Sequence, residues 1–287
     1  MLKKTLYFLM VLVVLSIPAT VLADVAVGDV IVTLGEDLTD TQKANMLEIF
    51  NPPENAQLIT VSNEEEHTYL DGVISSMQIG TRAISSAMIT FTEESSGVTV
   101  STSNINFISD QTYINALITA GVKNAEIQIS SPIEVSGTAA LTGIMKAYEV
   151  STGVMIDEDI KKTANEEMVT TANLADEIGE DEAADFINEI KKQIAENNPK
   201  TIEDIKKIIN DVIAKFDISL SQEQIDALVS LFNKMKDLDI DWDELKDQIT
   251  NISSKASEYI SSEEGQNFLS NLKTFFAGII DWLKSLF

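Results

Sequence analysis

Apolar and polar residues alternate in short runs along the first half of this chain. Beyond Gly153 the apolar residues recur every three or four positions instead. Val25, Val27, Val30, Ile31 and Val32 form a first strand pattern that Leu34-Gly35 stops, and Leu58 to Val61 a second. In the stretch Ala83 to Thr92, Ile89 and Phe91 oppose Thr90 and Thr92; Val98 and Val100 then oppose Thr99 and Ser101, which predicts a hairpin with Glu94 to Gly97 as its loop. Ile127 and Ile129 alternate with Glu126 and Gln128, and Pro132 is expected to break that strand. Cap pairs mark the intervening helix starts: Thr39 with Gln42, Asn63 with Glu66, and Ser109 ahead of Tyr113, Leu117 and Ile118.

The stretch Ser136 to Glu149 organises the rest. At helical spacing Ser136, Ala140, Gly143 and Ala147 make a stripe of small residues, and Leu141, Ile144, Met145 and Tyr148 make a large apolar face. A helix that is apolar nearly all round is buried. A mid-helix glycine costs roughly 1 kcal/mol against alanine, so Gly143 predicts a neighbouring backbone close enough to exclude a side chain. The helix is expected to be the middle layer between a sheet and a further element.

Past Gly153 the strand signals vanish. Asp157 caps a helix that Gly179 ends, and Asp181 to Ile194 gives the next. Further helices start at Thr201, at Ser221 with Gln224, and at Asp241 with Glu244, and a last one is expected from about Ser262 to the end. Short polar joints between amphipathic helices mean an antiparallel bundle. The predicted class is α+β: an N-terminal two-layer α/β sandwich with a mixed sheet over residues 24–153, then a C-terminal antiparallel helical bundle over 154–287.

Residues 1–23 carry a basic start at Lys3-Lys4, an apolar run from Leu6 to Leu15 and a small-residue cleavage pattern ending at Ala23, which together predict an exported chain beginning at Asp24. The net charge is -26, and removing the two lysines of that segment takes it to -28. Such a surface repels phosphate backbones, which argues against nucleic acid and anionic lipid as partners. There is no cysteine, so an exported chain of this length must be held by burial alone.

Candidate chemistry is sparse. His67 is the single histidine and follows three glutamates in what should be a solvated helical turn. With one histidine and no cysteine, a zinc site of nitrogen and sulfur ligands is excluded. Asp237, Asp239, Asp241 and Asp243 alternate like a calcium loop, yet Trp242 and Gln248 stand where its glycine and bidentate glutamate belong. The metal candidate is a calcium site at Glu177, Glu180, Asp181 and Glu182, and no other cofactor is implied. Ser270 to Lys273 matches S-x-x-K by letters alone. Phe268, Leu272, Phe275 and Phe276 give the last helix an apolar face, but few lysines flank it, so membrane contact there is disfavoured. The ligand-binding candidate is the start of the central helix, Ser136, Gly137 and Thr138, where free N–H groups can hold a carboxylate or small anion.

Three blocks carry a family likeness: GDVIVTLGEDLTDTQ from Gly28, NALITAGVKNAEIQISSPIEVSGTAALTGIMKAYE from Asn115, and TTANLADEIG ending at Gly179. Through them the chain resembles the YpuA-like family of secreted Firmicute proteins, domain of unknown function 1002. The resemblance implies an exported, envelope-associated protein and supplies no catalytic residue. The reading is a non-catalytic binding or structural protein whose partner is an envelope protein or small ligand; the alternative is a carboxylate-dependent, calcium-assisted hydrolase of cell-wall polymers.

Overall fold

The computed structural model describes residues 25–74 and 79–261, with side chains through residue 251. The expected signal segment, the helix expected from Ser262 and the S-x-x-K letters lie outside the described residues. The first part runs β1 (Val30–Gly35), α1 (Asp40–Phe50), β2 (Gln57–Val61), α2 (Asn63–Leu70), β3 (Ser86–Phe91), β4 (Val98–Ile105), α3 (Asp110–Thr119), β5 (Ala125–Val135) and α4 (Thr138–Thr152). Among the described residues the strands form one sheet, ordered β2-β1-β3-β5-β4. β1 with β2 and β4 with β5 are parallel, and β1 with β3 and β3 with β5 antiparallel. The fold is α+β with a mixed sheet.

Two local expectations fail here. β3 and β4 are not a hairpin, because β5 inserts between them and pairs with both. β5 buries Ala125, Ile127 and Ile129, whereas most of β4 is exposed or half-exposed, so the more apolar strand takes the interior place and β4 the edge. Nor does Pro132 end its strand. It lies where the β4–β5 register shifts between Ser103 and Ile105, so its missing N–H breaks no ladder bond. Asn104, at φ +59°, closes the gap by donating from Nδ2 to the Ser131 carbonyl at 2.8 Å.

One face of the sheet presents Ile31, Ala87, Ile89, Ile127 and Ile129 to α3 and α4. The other presents Val32, Leu34 and Met88, over which Met46 and Phe50 of α1 pack. α4 is buried from Thr138 through Met145 and again at Ala147. A Cβ on Gly143 would stand 2.9 Å from Thr33 Oγ1 and 3.4 Å from Val61 Cγ1. The close neighbours are therefore β-branched side chains of β1 and β2 rather than another backbone.

The second part is helical: α5 (Glu158–Ile178), α6 (Glu180–Asn197), α7 (Ile202–Phe216), α8 (Gln222–Asp237) and α9 (Trp242–Ser261). Asp157, Thr201 and Ser221 cap where expected, each accepting from backbone N–H groups of the first turn. Phe186, Ile190, Ile209, Leu228 and Phe232 centre one core on α6, α7 and α8. Ala164, Met168 and Ala172 of α5, with Leu245 and Ile249 of α9, instead join the core beneath the sheet. α4 is thereby covered on its far side by α5, as a middle layer should be.

Where α3 meets α5 and α6, that core contains ions. Lys191 and Glu167 are both fully buried and pair at 2.7 Å. Lys191 Nζ also donates to the Asn115 carbonyl at 3.1 Å and to Thr119 Oγ1 at 3.2 Å; Thr119 in turn donates to the other Glu167 oxygen at 2.5 Å. Asn115 Nδ2 donates to the Ala184 carbonyl, and Asn188 Nδ2 to Asn115 Oδ1. Burial pushes the Lys191 ammonium below its usual range against the pull of Glu167.

Candidate functional site

The start of α2 is set by a capping box one residue earlier than its sequence suggests. Ser62 Oγ accepts from the Glu65 N–H at 3.1 Å, and Glu65 Oε2 accepts from the Ser62 N–H at 2.9 Å. Lys146 of α4 takes the other Glu65 oxygen at 2.5 Å. The shift releases Glu66 from the cap and turns it inward, where it is only 1 % exposed. Its carboxyl meets two neutral partners: Thr138 Oγ1 donates to Oε1 at 2.5 Å and Asn63 Nδ2 to Oε2 at 3.1 Å. Burial raises its pKa above the ordinary glutamate value, although those bonds and His67 pull the other way.

The opposite wall is the entry to α4. Gly137 adopts φ +92°, and a Cβ there would run into the Tyr113 hydroxyl and Ile105. Tyr113 donates to the Gly137 carbonyl at 2.7 Å, which fixes the turn that aims Thr138 at Glu66. Ser136, Gly137 and Thr138 thus line a cleft of about 310 Å³ together with Glu66, Arg82 and Ser85. Arg82 is the chain's one arginine and is exposed at the rim. The entry to α4 therefore faces an internal carboxyl, and Arg82 lines the same cleft.

His67 is better held than a solvated turn would allow. Its Nδ1 lies 2.8 Å from Asp71 Oδ1 and its Nε2 3.1 Å from the Gly80 carbonyl. Both neighbours are acceptors, and the bonds to Asp71 and Gly80 raise the imidazole pKa.

Glu177, Glu180, Asp181 and Glu182 are exposed around the α5–α6 joint, away from this cleft. Among the described residues no three histidine or carboxylate groups are placed to hold a metal ion. Asp185 beside them is raised by partial burial and by Asp181 and Glu182.

Glu66 and Arg82 escape a reading from sequence. Glu66 is the third of three glutamates in a cap with two workable registers, and only the inward turn of the second separates it from Glu65. A lone arginine in so acidic a chain was the available signal for Arg82.

The sign of the Glu66 effect is fixed by its raised pKa. Below 4.5 its carboxyl is protonated whether the chain is folded or unfolded; as pH rises through the folded pKa, the folded state must ionise a buried group and loses stability relative to the unfolded one. Glu66→Gln keeps the Thr138 bond, and the Asn63 amide can rotate to accept from the new Nε2. The difference in unfolding midpoint between Glu66→Gln and the parent is expected to be smallest near pH 4, to grow in favour of the variant with rising pH and then to level. A difference that is flat from pH 4 to 8, measured by thermal unfolding, would show that Glu66 is not strained by burial.

Residues 34–252 match the family model described as protein of unknown function (DUF1002). The chain is also 48 % identical over 274 residues to the uncharacterised protein YpuA of Bacillus subtilis (strain 168), covering 95 % of this chain and 94 % of that one. No solved structure matches.

Proposed function

The chain belongs to the DUF1002 family, and we propose that it is an exported, envelope-associated, non-catalytic binding protein whose ligand enters the Glu66–Arg82 cleft. Support for export comes from the N-terminal charge and hydropathy pattern. Support for binding rests on one observation: Ser136, Gly137 and Thr138 line a single cleft with Arg82, the chain's one arginine. A helix N-terminus, hydroxyls and one arginine together suit a small ligand bearing a carboxylate, which Arg82 can engage through two parallel N–H donors.

A raised carboxyl in a cleft also favours a second reading, that of Glu66 as a general acid. Glycoside hydrolysis needs a second carboxylate across the scissile bond, and Glu66 is the one carboxyl among the cleft's lining residues. Asp37, whose charge reaches Glu66, is engaged through Oδ2 by the Ala83 N–H at 2.8 Å. Binding is the better-supported reading.

Titration calorimetry with acetate, lactate, succinate and N-acetylalanine tests it. At least one carboxylate is expected to bind saturably, and Arg82→Ala to weaken it about tenfold, as loss of a charged hydrogen bond does. Absence of saturable heat with all four, or affinity indifferent to Arg82→Ala, would end this assignment.

A further inference from the structure

A larger cleft, about 840 Å³, opens at the opposite end of α4. α4 has 15 residues, so the two clefts lie roughly 20 Å apart at 1.5 Å per residue. Tyr148, the Val154–Ile160 segment, the α3–β5 turn and the start of α9 surround it. Its volume falls within the usual range for ligand sites, about 300–1,000 Å³.

Two features of its wall point to an occupant. Val154 and Met155, adjacent in sequence, are 58 % and 74 % exposed on the same wall. Large apolar side chains held in water at a cleft, one of them an adaptable methionine, are a contact surface in waiting.

The second feature is charge. Asp157 and Asp241 are spent on helix caps, and Asp237 pairs with Lys236. Asp159 and Asp239 line the cleft with carboxylates that make no ion pair or hydrogen bond among the described residues. Lys123, the one cation among the described residues that line the cleft, already sits on Glu244 at 3.3 Å. That pair demonstrates how an ammonium docks on this wall.

We propose that this cleft binds an extended peptide segment of a partner protein, one with a basic side chain next to an apolar one. The basic group meets Asp159 and Asp239, and the apolar residue packs on Val154 and Met155. Charge complementarity selects this occupant. A second copy of the chain brings a net charge of -26, and the chain's own residues 262–287 carry Glu263, Glu264 and Asp281 against Lys273 and Lys284. The inference rests on nothing in the Glu66 cleft.

Fluorescence anisotropy of the full chain with a labelled lysine–leucine octapeptide tests it, beside a glutamate-for-lysine and a serine-for-leucine version. Saturable binding is expected for the first alone, weakening with salt from 50 to 300 mM. Asp159→Asn together with Asp239→Asn should weaken binding about tenfold, while Arg82→Ala changes it less than twofold. Diffuse attraction to a net charge of -26 would scarcely register two neutralised carboxylates, so a change under twofold in that pair overturns the proposal. Equal affinity for the glutamate peptide overturns it too. So does displacement of the probe by calcium chloride where equimolar magnesium chloride leaves it bound, which would make the wall a cation site.

Discussion

Replacing Lys191 with methionine is expected to lower the stability of the protein by about 3–5 kcal/mol, the usual cost of stranding one member of a buried ion pair. Lys191 and Glu167 have no exposed surface, and among the described residues Glu167 would keep only the Thr119 hydroxyl as a donor. The Asn115 carbonyl would lose its lysine partner as well. The double substitution Lys191→Met with Glu167→Leu should recover most of the loss, because it removes the second charge along with the first. Recovery will be incomplete while Asn115 and Thr119 still bury polar atoms there. Urea unfolding followed by circular dichroism reads all three proteins. A single-variant loss under about 1 kcal/mol would mean that water reaches the pair, which the packing of α3 against α5 and α6 forbids.

Placing ions in this core makes the contact between the sheet part and the helices specific. Apolar side chains alone would let α6 slide along α3, whereas Lys191 must meet two acceptors on α3 and Glu167 on α5 at once. The same core continues from Ile127 and Ile129 of the sheet to Met168 of α5 and Leu245 of α9. The clefts at the two ends of α4 are therefore floored by one packed unit, and a change in how α4 seats on the sheet reaches both.

What could be read from sequence divides by distance along the chain. Caps at Thr39, Ser109, Asp157, Thr201 and Ser221 are local chemistry within one turn, and all were legible. Strand pairing is not local. The order β3-β5-β4 depends on which of β4 and β5 buries more surface, and the Glu94 to Gly97 loop gives no sign of a strand arriving between its neighbours. Pro132 misled for a related reason, since a proline stops a strand only where a ladder bond is due. Glu66 was missed by one residue of cap register. Lys191 did leave a trace: with Ile187, Ile190 and Ile194 it completes an i, i+3, i+4, i+7 stripe, so a lysine stands on the buried face of α6. Its partner could not be inferred, because Glu167 lies 24 residues away on another helix.

Gly143→Leu carries the second large effect, about 3 kcal/mol of destabilisation at the upper end of what overpacking a core usually costs. The prediction follows from where the β-carbon would go. Thr33 Oγ1 is 2.9 Å away, Thr33 Cβ 3.3 Å and Val61 Cγ1 3.4 Å, so the first atom of any side chain already crowds the centre of the sheet. Thr33 is fully buried, and its hydroxyl is tethered to the Ala87 carbonyl at 3.4 Å. β-branched residues have few rotamers into which to retreat. Gly143→Ala pits a helix-propensity gain of roughly 1 kcal/mol against that crowding and should come out mildly destabilising. Adding Thr33→Ala to it removes the clashing hydroxyl, so the pair together should be more stable than Gly143→Ala added to Thr33→Ala by simple summation. Additive behaviour in urea unfolding, or a Gly143→Leu variant as stable as the parent, would mean that α4 does not need this close approach. Thr138 and Tyr148 would then owe their positions in the two clefts to something other than the seating of α4 on β1 and β2.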